Sequence, residues 1–244
     1  MENCKDSKSL NLEVISNQGE YESSERRQLP RLSLTSEQFR LLSNHKIFSV
    51  DNVSVQGMGL WVLDQEDFKY FCVGMEIEGI LNLRGEKFLV RAQVKNLVQE
   101  RVGCEFHSLS QEALFALNQL LDPIVLGSEL KPVPFGEVNT LWYHGPSGTD
   151  LIMKRSTDGR FYQFTLYVFE YSIQWDHLEG LSTGCVLVSS TQKAQLRGIV
   201  RLESLLVKPD VEPQSSKLEI AKKLILSSNL SQDLRNWCIR HLER

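Results

Sequence analysis

No run of apolar residues in this chain approaches the length of a membrane span, so an integral helical membrane protein is not expected. Cysteine is sparse and unpatterned. The five residues Cys4, Cys72, Cys104, Cys185 and Cys238 are odd in number and form no CxxC pair, which removes the spacing support for a disulfide framework or a zinc site. They read as reduced thiols used as small apolar residues. Catalytic signatures are also missing. None of His45, His107, His144, His177 and His241 lies in an HExxH, CxxC or GxSxG context. Asp176 and His177 are neighbours on a strand-like run, where adjacent side chains point to opposite faces. No enzyme, metal or organic cofactor is expected. A strong basic excess is lacking too. The formal net charge is −4, which argues against coating nucleic acid and leaves room for one local basic site. The first residues, MENCKDSKSL, show no basic region followed by an apolar run, so the expectation is a cytoplasmic protein without a signal peptide.

The rest is ordinary for a globular chain of 244 residues, long enough for two modest domains. Residues 1–23 are polar and read as a flexible segment. From Phe48 to Phe106 short strands alternate with turns, including a hairpin at RGEK (Arg84–Lys87). A helix is expected over Ser110–Leu121, with Ser110 as its cap, one apolar side formed by Ala113, Leu114, Leu117, Leu120 and Leu121, and Asp122-Pro123 as its end. Residues 24–126 thus form one domain, 127–137 with Pro132 and Pro134 a linker, and 138–244 a second α+β domain. In that second domain, Asp158-Gly159 divides two β-rich runs. The aromatic stretch RFYQFTLYVFEYSIQW (Arg160–Trp175) occupies both alternation sets. It reads as a sheet covered on both faces, or else as a partner-binding surface. Two helices close the chain, near Ser216–Leu226 and from Ser231 onward.

Two short patterns carry the functional signal. Arg26, Arg27 and Arg31 fall within SERRQLPR, where Pro30 disfavours helix at Leu29. Asn52-Val53-Ser54-Val55-Gln56-Gly57 begins 21 residues after Arg31. Arginines on an extended segment supply planar forks that grip phosphate oxygens and can stack on purine faces. An asparagine amide offers a donor and an acceptor to a base edge. A serine two residues on lies on the same strand face, and Gly57 permits a tight bend or close approach. Together they describe a surface site for a small anionic nucleotide.

Their order and spacing resemble the PilZ domain family, whose pattern is RxxxR, about twenty residues, then [D/N]xSxxG on a strand. The halves here are Arg27–Arg31 and Asn52–Ser54–Gly57. MGLWV, the strands of VGMEIEGILNLRGEKFLVRAQVKNL and the segment RVGCEFHSLSQEAL resemble the elements that follow in that family, so the likeness spans about residues 24–122. It implies a six-stranded antiparallel β-barrel with a C-terminal helix, and a receptor for cyclic di-GMP. Arg27 and Arg31 would hold phosphates and a guanine. Asn52 would read a guanine edge with Ser54 beside it, and Gly57 would shape the strand. Arg26, directly before the motif, is placed as in members that bind an intercalated ligand dimer. Asp51 is one residue off the motif and is assigned to the structure. Other readings are a PilZ-like scaffold that works through protein contacts, and a DNA-binding regulator using the closing helices. Residues 217–244 hold six Lys or Arg against three acids. As a packing cap, those helices would instead turn Leu224, Ile225, Leu234, Trp237 and Leu242 to the core and leave the lysines solvated. A downstream protein partner is expected, and a homodimer stays open.

Overall fold

The computed structural model describes residues 30–34, 36–134, 138–145, 148–187 and 206–243. Its first unit is a closed barrel of six antiparallel strands: β2 (Gln38–Leu41), β3 (Ile47–Ser54), β4 (Gly57–Trp61), β5 (Glu76–Leu83), β6 (Glu86–Val98) and β7 (Arg101–Ser108). The strand order is β3-β2-β5-β6-β7-β4, and the β3–β4 pairing closes it. A two-residue strand, β1 (Leu32–Ser33), adds to β3.

Alternation explains the barrel. In β5 every second residue, from Ile77 to Leu83, is turned inward. In β6, Phe88, Val90, Ala92 and Val94 do the same. The two strands meet at Arg84-Gly85, both with positive φ (50° and 87°), the twist a two-residue hairpin requires. The chain is mainly β with helices, an α+β fold.

Helix α1 (Gln111–Leu120) begins as expected: the Ser110 hydroxyl accepts the Ala113 N–H at 3.1 Å. Ala113, Leu117 and Leu120 are buried, but Leu114 is exposed, so the apolar side is narrower than the spacing suggested. Asp122-Pro123 does not only end α1. It starts α2 (Pro123–Ser128), with Asp122 accepting the Ile124 N–H at 2.9 Å and Pro123 in the first turn, where its missing N–H has no helical partner to lose.

The expected linker therefore carries structure. Gly127 and Ser128 finish α2, and Lys131–Val133 form β8. Strands β8, β9 (Thr140–His144), β10 (Asp150–Arg155), β11 (Phe161–Val168), β12 (Tyr171–Asp176), β13 (Gly180–Leu187) and β14 (Leu206–Pro209) form a sequential antiparallel sheet. The aromatic stretch is two strands rather than one run. It turns at Phe169 (φ 60°), which resets the alternation, so Phe164, Leu166, Ile173 and Trp175 are all buried on one face. The opposite positions Gln163, Thr165, Tyr167 and Gln174 are half-exposed, so the sheet is not covered equally on both faces.

Helices α3 (Ser215–Ser227) and α4 (Gln232–Leu242) close the core. Trp237 packs on Phe161, Phe164 and Trp175 with ring centroids 5.3–5.8 Å apart. Leu224, Ile225 and Leu242 are buried. One lysine is not solvated: Lys217 is buried, and its ammonium donates to both carboxylate oxygens of Asp210 at 2.9 and 3.1 Å. Gly127 of α2 lies so close to α3 that a methyl group there would sit 2.2 Å from the Leu224 carbonyl oxygen. No helix among the described residues is long and apolar enough to cross a membrane.

Candidate functional site

Arg31, Asn52, Ser54 and Gly57 lie on the outer wall of the barrel, where β1, β3 and β4 run side by side. Leu32 pairs with Val53 and Ser33 with Asn52. Extended by one residue, the same register brings half-buried Arg31 level with Ser54. Arg26 and Arg27 lie outside the described residues.

β3 delivers Asn52 and Ser54 to the outer face through a bulge. Val50 pairs with Leu60 and Asn52 with Gly59, so the ladder skips Asp51. Val50 and Val53 point into the core on either side of the bulge. The extra residue, Asp51, is only 1% exposed. Its carboxylate accepts the Asn52 side-chain N–H at 2.8 Å and lies 3.5 Å from Arg101 Nε. The assignment of Asp51 to structure is thus sharpened: it directs the Asn52 amide.

Asn52 is 7% exposed and its side chain lies over Gly59, where a methyl group would come within 3.2 Å of both amide atoms. Ser54 is 6% exposed, and its hydroxyl is used inside the turn. It accepts the Gln56 N–H at 3.3 Å and donates to the Gly57 carbonyl at 3.4 Å, both long bonds. Gly57 has a clear steric reason to be glycine. A Cβ there would sit 2.2 Å from the Cys104 carbonyl oxygen on β7, with backbone on both sides and nothing free to give way.

Two further residues belong to this wall. Trp61 and Arg101 are paired across β4 and β7, two residues along from the Gly59–Gly103 pair. The Arg101 guanidinium stands 4.5 Å from the Trp61 ring centroid, a cation–π geometry. Its Nε and Nη2 are buried and make no hydrogen bond. The wall thus joins an amide, a carboxylate and a guanidinium on an indole, with Arg31 arriving from β1. Such a surface can bind a planar polar ring beside an anion. Sequence reading missed Trp61 and Arg101 because they come from strands apart in sequence. The usable signal was the spacing of Asn52 and Gly59 about a two-residue turn.

No protein-family model matches the chain, and a search of curated proteins finds no match. Among solved structures, the chain is similar to the crystal structure of the PilZ domain of CeSA from a cellulose-synthesizing bacterium. Identity is 10% and the TM-score 0.26, over 38% of this chain and 88% of that one.

Proposed function

We propose that this protein is a bacterial receptor for cyclic di-GMP, acting in the cytoplasm without catalysis, metal or organic cofactor. One observation carries the reading: β1 pairs with β3, Ser33 opposite Asn52, so the segment leading from the arginine cluster runs beside the Asn52–Ser54 strand. The ligand has two phosphate charges and two guanine edges. Arg27 and Arg31 would grip phosphate and base, with Arg26 as a further cation. Asn52 would hydrogen-bond a guanine edge, with Ser54 beside it and Gly57 supporting the strand from behind.

Binding would fasten the arginine segment to the barrel wall and change how barrel and second domain meet, a change read by a protein partner. Calorimetric titration with cyclic di-GMP tests this. Removing one partner of a desolvated charge pair costs about 2–5 kcal/mol, more than tenfold in affinity. Arg27→Ala should weaken binding by at least that factor, and Asn52→Ala, which removes a neutral hydrogen-bonding group, by about five- to hundredfold. Heat that is absent in the wild type, or unchanged by both substitutions, overturns the site.

A second reading draws on the burial of Asn52 and Ser54. In it the barrel is a scaffold that works through protein contacts alone. A wild-type chain that retains a protein partner in a pull-down but gives no heat with the nucleotide would favour it.

A further inference from the structure

Two hairpins of the barrel share a pattern. Residues 49–61, SVDNVSVQGMGLW, align without a gap to residues 93–105, QVKNLVQERVGCE, at a constant offset of 44. Val50, Asn52 and Gly59 recur as Val94, Asn96 and Gly103. The strand pairing repeats with the residues, although Gln99 has a positive φ of 52° that its counterpart Val55 lacks. Each hairpin turns through two residues, Val55–Gln56 and Gln99–Glu100. Each ladder breaks at the same place, skipping Asp51 in one and Lys95 in the other. In each, the asparagine past the bulge lies over the facing glycine. A methyl group at Gly103 would meet Asn96 Oδ1 at 2.4 Å, as one at Gly59 meets the Asn52 amide at 3.2 Å.

The two hairpins are also neighbours. β4 and β7 pair antiparallel with Gly59 opposite Gly103, flanked by Gly57–Glu105 and Trp61–Arg101. Under the offset Gly57 corresponds to Arg101 and Trp61 to Glu105, so the two flanking pairs exchange places. A local two-fold axis therefore stands on the Gly59–Gly103 pair. Met58, Leu60, Val102 and Cys104 point inward, so the two glycines and both amides belong to the outer face.

We infer that the wall binds a ligand with two-fold symmetry of its own astride Gly59–Gly103, the Asn52 and Asn96 amides meeting equivalent groups of its two halves. The inference rests on the cyclic di-GMP reading and deepens it: that nucleotide is two identical halves closed into one ring. The two glycines at the axis leave room for both amides to lie across them, and each amide offers one donor pair and one acceptor. The hairpins diverge in charge, which orients an anion on an otherwise symmetric floor. Arg101 replaces the small Gly57 and, with Nε 3.5 Å from the Asp51 carboxylate, brings buried N–H groups that make no hydrogen bond to one side of the axis, while Glu105, paired with Lys95, stands on the other. Asn96 is thereby a binding residue on a strand that neither sequence pattern touches.

The test is calorimetric titration of the full chain with cyclic di-GMP and with the linear dinucleotide of the same bases. Asn52→Ala, Asn96→Ala and Asn96→Asp are compared with wild type, and each variant's thermal unfolding is recorded. Leaving one polar group of the complex without its partner predicts a loss of about five- to hundredfold for Asn52→Ala and for Asn96→Ala alike. Asn96→Asp, which keeps the shape but adds a negative charge, should lose at least as much, and the linear dinucleotide should bind more weakly than the ring. If Asn52→Ala weakens binding while folded Asn96→Ala and Asn96→Asp bind like wild type, the two-fold mode is overturned and the receptor reading stands. If wild type binds neither nucleotide, the receptor reading falls and takes this inference with it.

Discussion

Arg84 and Glu129 are joined by two parallel 2.7 Å bonds, each guanidinium Nη atom donating to its own carboxylate oxygen. Arg84 sits in the β5–β6 turn of the barrel, and Glu129 directly follows α2, the helix seated on α3. The fork thus spans from the barrel to the second sheet's helical layer. Both side chains are partly exposed, so the pair is screened, but a bidentate fork is the better kind of surface pair. A double-mutant cycle with Arg84→Ala and Glu129→Ala, read by urea unfolding, should return a coupling of about 0.5–1 kcal/mol. A coupling of zero would show that the fork does not help to join the barrel to the second sheet's helical layer.

Gly57 and Gly127 should be intolerant of alanine for the same reason, backbone oxygen 2.2 Å from the new methyl. Overpacking of this kind costs about 1–3 kcal/mol. Urea unfolding of Gly57→Ala and Gly127→Ala should show losses in that range. A Gly74→Ala control has open space around its Cβ but a positive φ of 86°, so its loss comes from backbone strain alone.

The second sheet contains a pH-dependent contact. Asp150 is buried on β10, and its Oδ1 is shared by the Trp142 indole N–H and His144 Nδ1, each at 2.7 Å. The hydrogen bond to Asp150 raises the His144 pKa above its usual value, against the opposing effect of burial. The native state therefore binds this proton more tightly than the unfolded chain. The resulting stability is complete below the usual histidine value of about 6.5 and is lost as pH rises through the folded one. An NMR titration should place His144 above the usual value, and Asp150→Asn should bring it down. No difference between the two proteins would contradict the contact.

Burial also separates the thiols. Cys104 and Cys238 are pushed up to about 12 by desolvation, whereas Cys72 is exposed. Alkylation at neutral pH followed by peptide mass spectrometry should modify Cys72 in the folded chain and reach Cys104 and Cys238 only in denaturant. Modification of Cys104 at the rate of Cys72 would contradict the closed barrel core.

Much of this fold is legible in the sequence because local signals agreed with burial. EIEGILNL and EKFLVRAQV alternate in burial from Ile77 and from Phe88, with Ile80 and Leu89 the apolar residues turned outward, and Arg84-Gly85 supplies the turn between them. Ser110 caps α1 as its side chain permits. Signals that serve two purposes misled. Asp122-Pro123 closes one helix but also caps the next, and the prolines of the expected linker lie in or beside an edge strand. A phenylalanine in left-handed backbone, Phe169, carries no turn signature, so two strands read as one. The candidate site was half legible. Asn52, Ser54 and Gly57 are adjacent in sequence, and the structure brings Arg31 toward them. The bulge at Asp51 and the approach of Trp61, Arg101 and Asn96 depend on strand pairing, which no local pattern specifies.

Where the nucleotide lands is the most direct question for the central claim. Backbone amide shifts of the labelled 244-residue chain, followed by NMR while cyclic di-GMP is added, answer it residue by residue. The largest saturable shifts are expected at Arg31, Asn52, Ser54, Gly57 and Gly59, with residues of β10 to β12 little changed. No saturable shifts, or shifts centred on the second sheet and absent from β3 and β4, would contradict it.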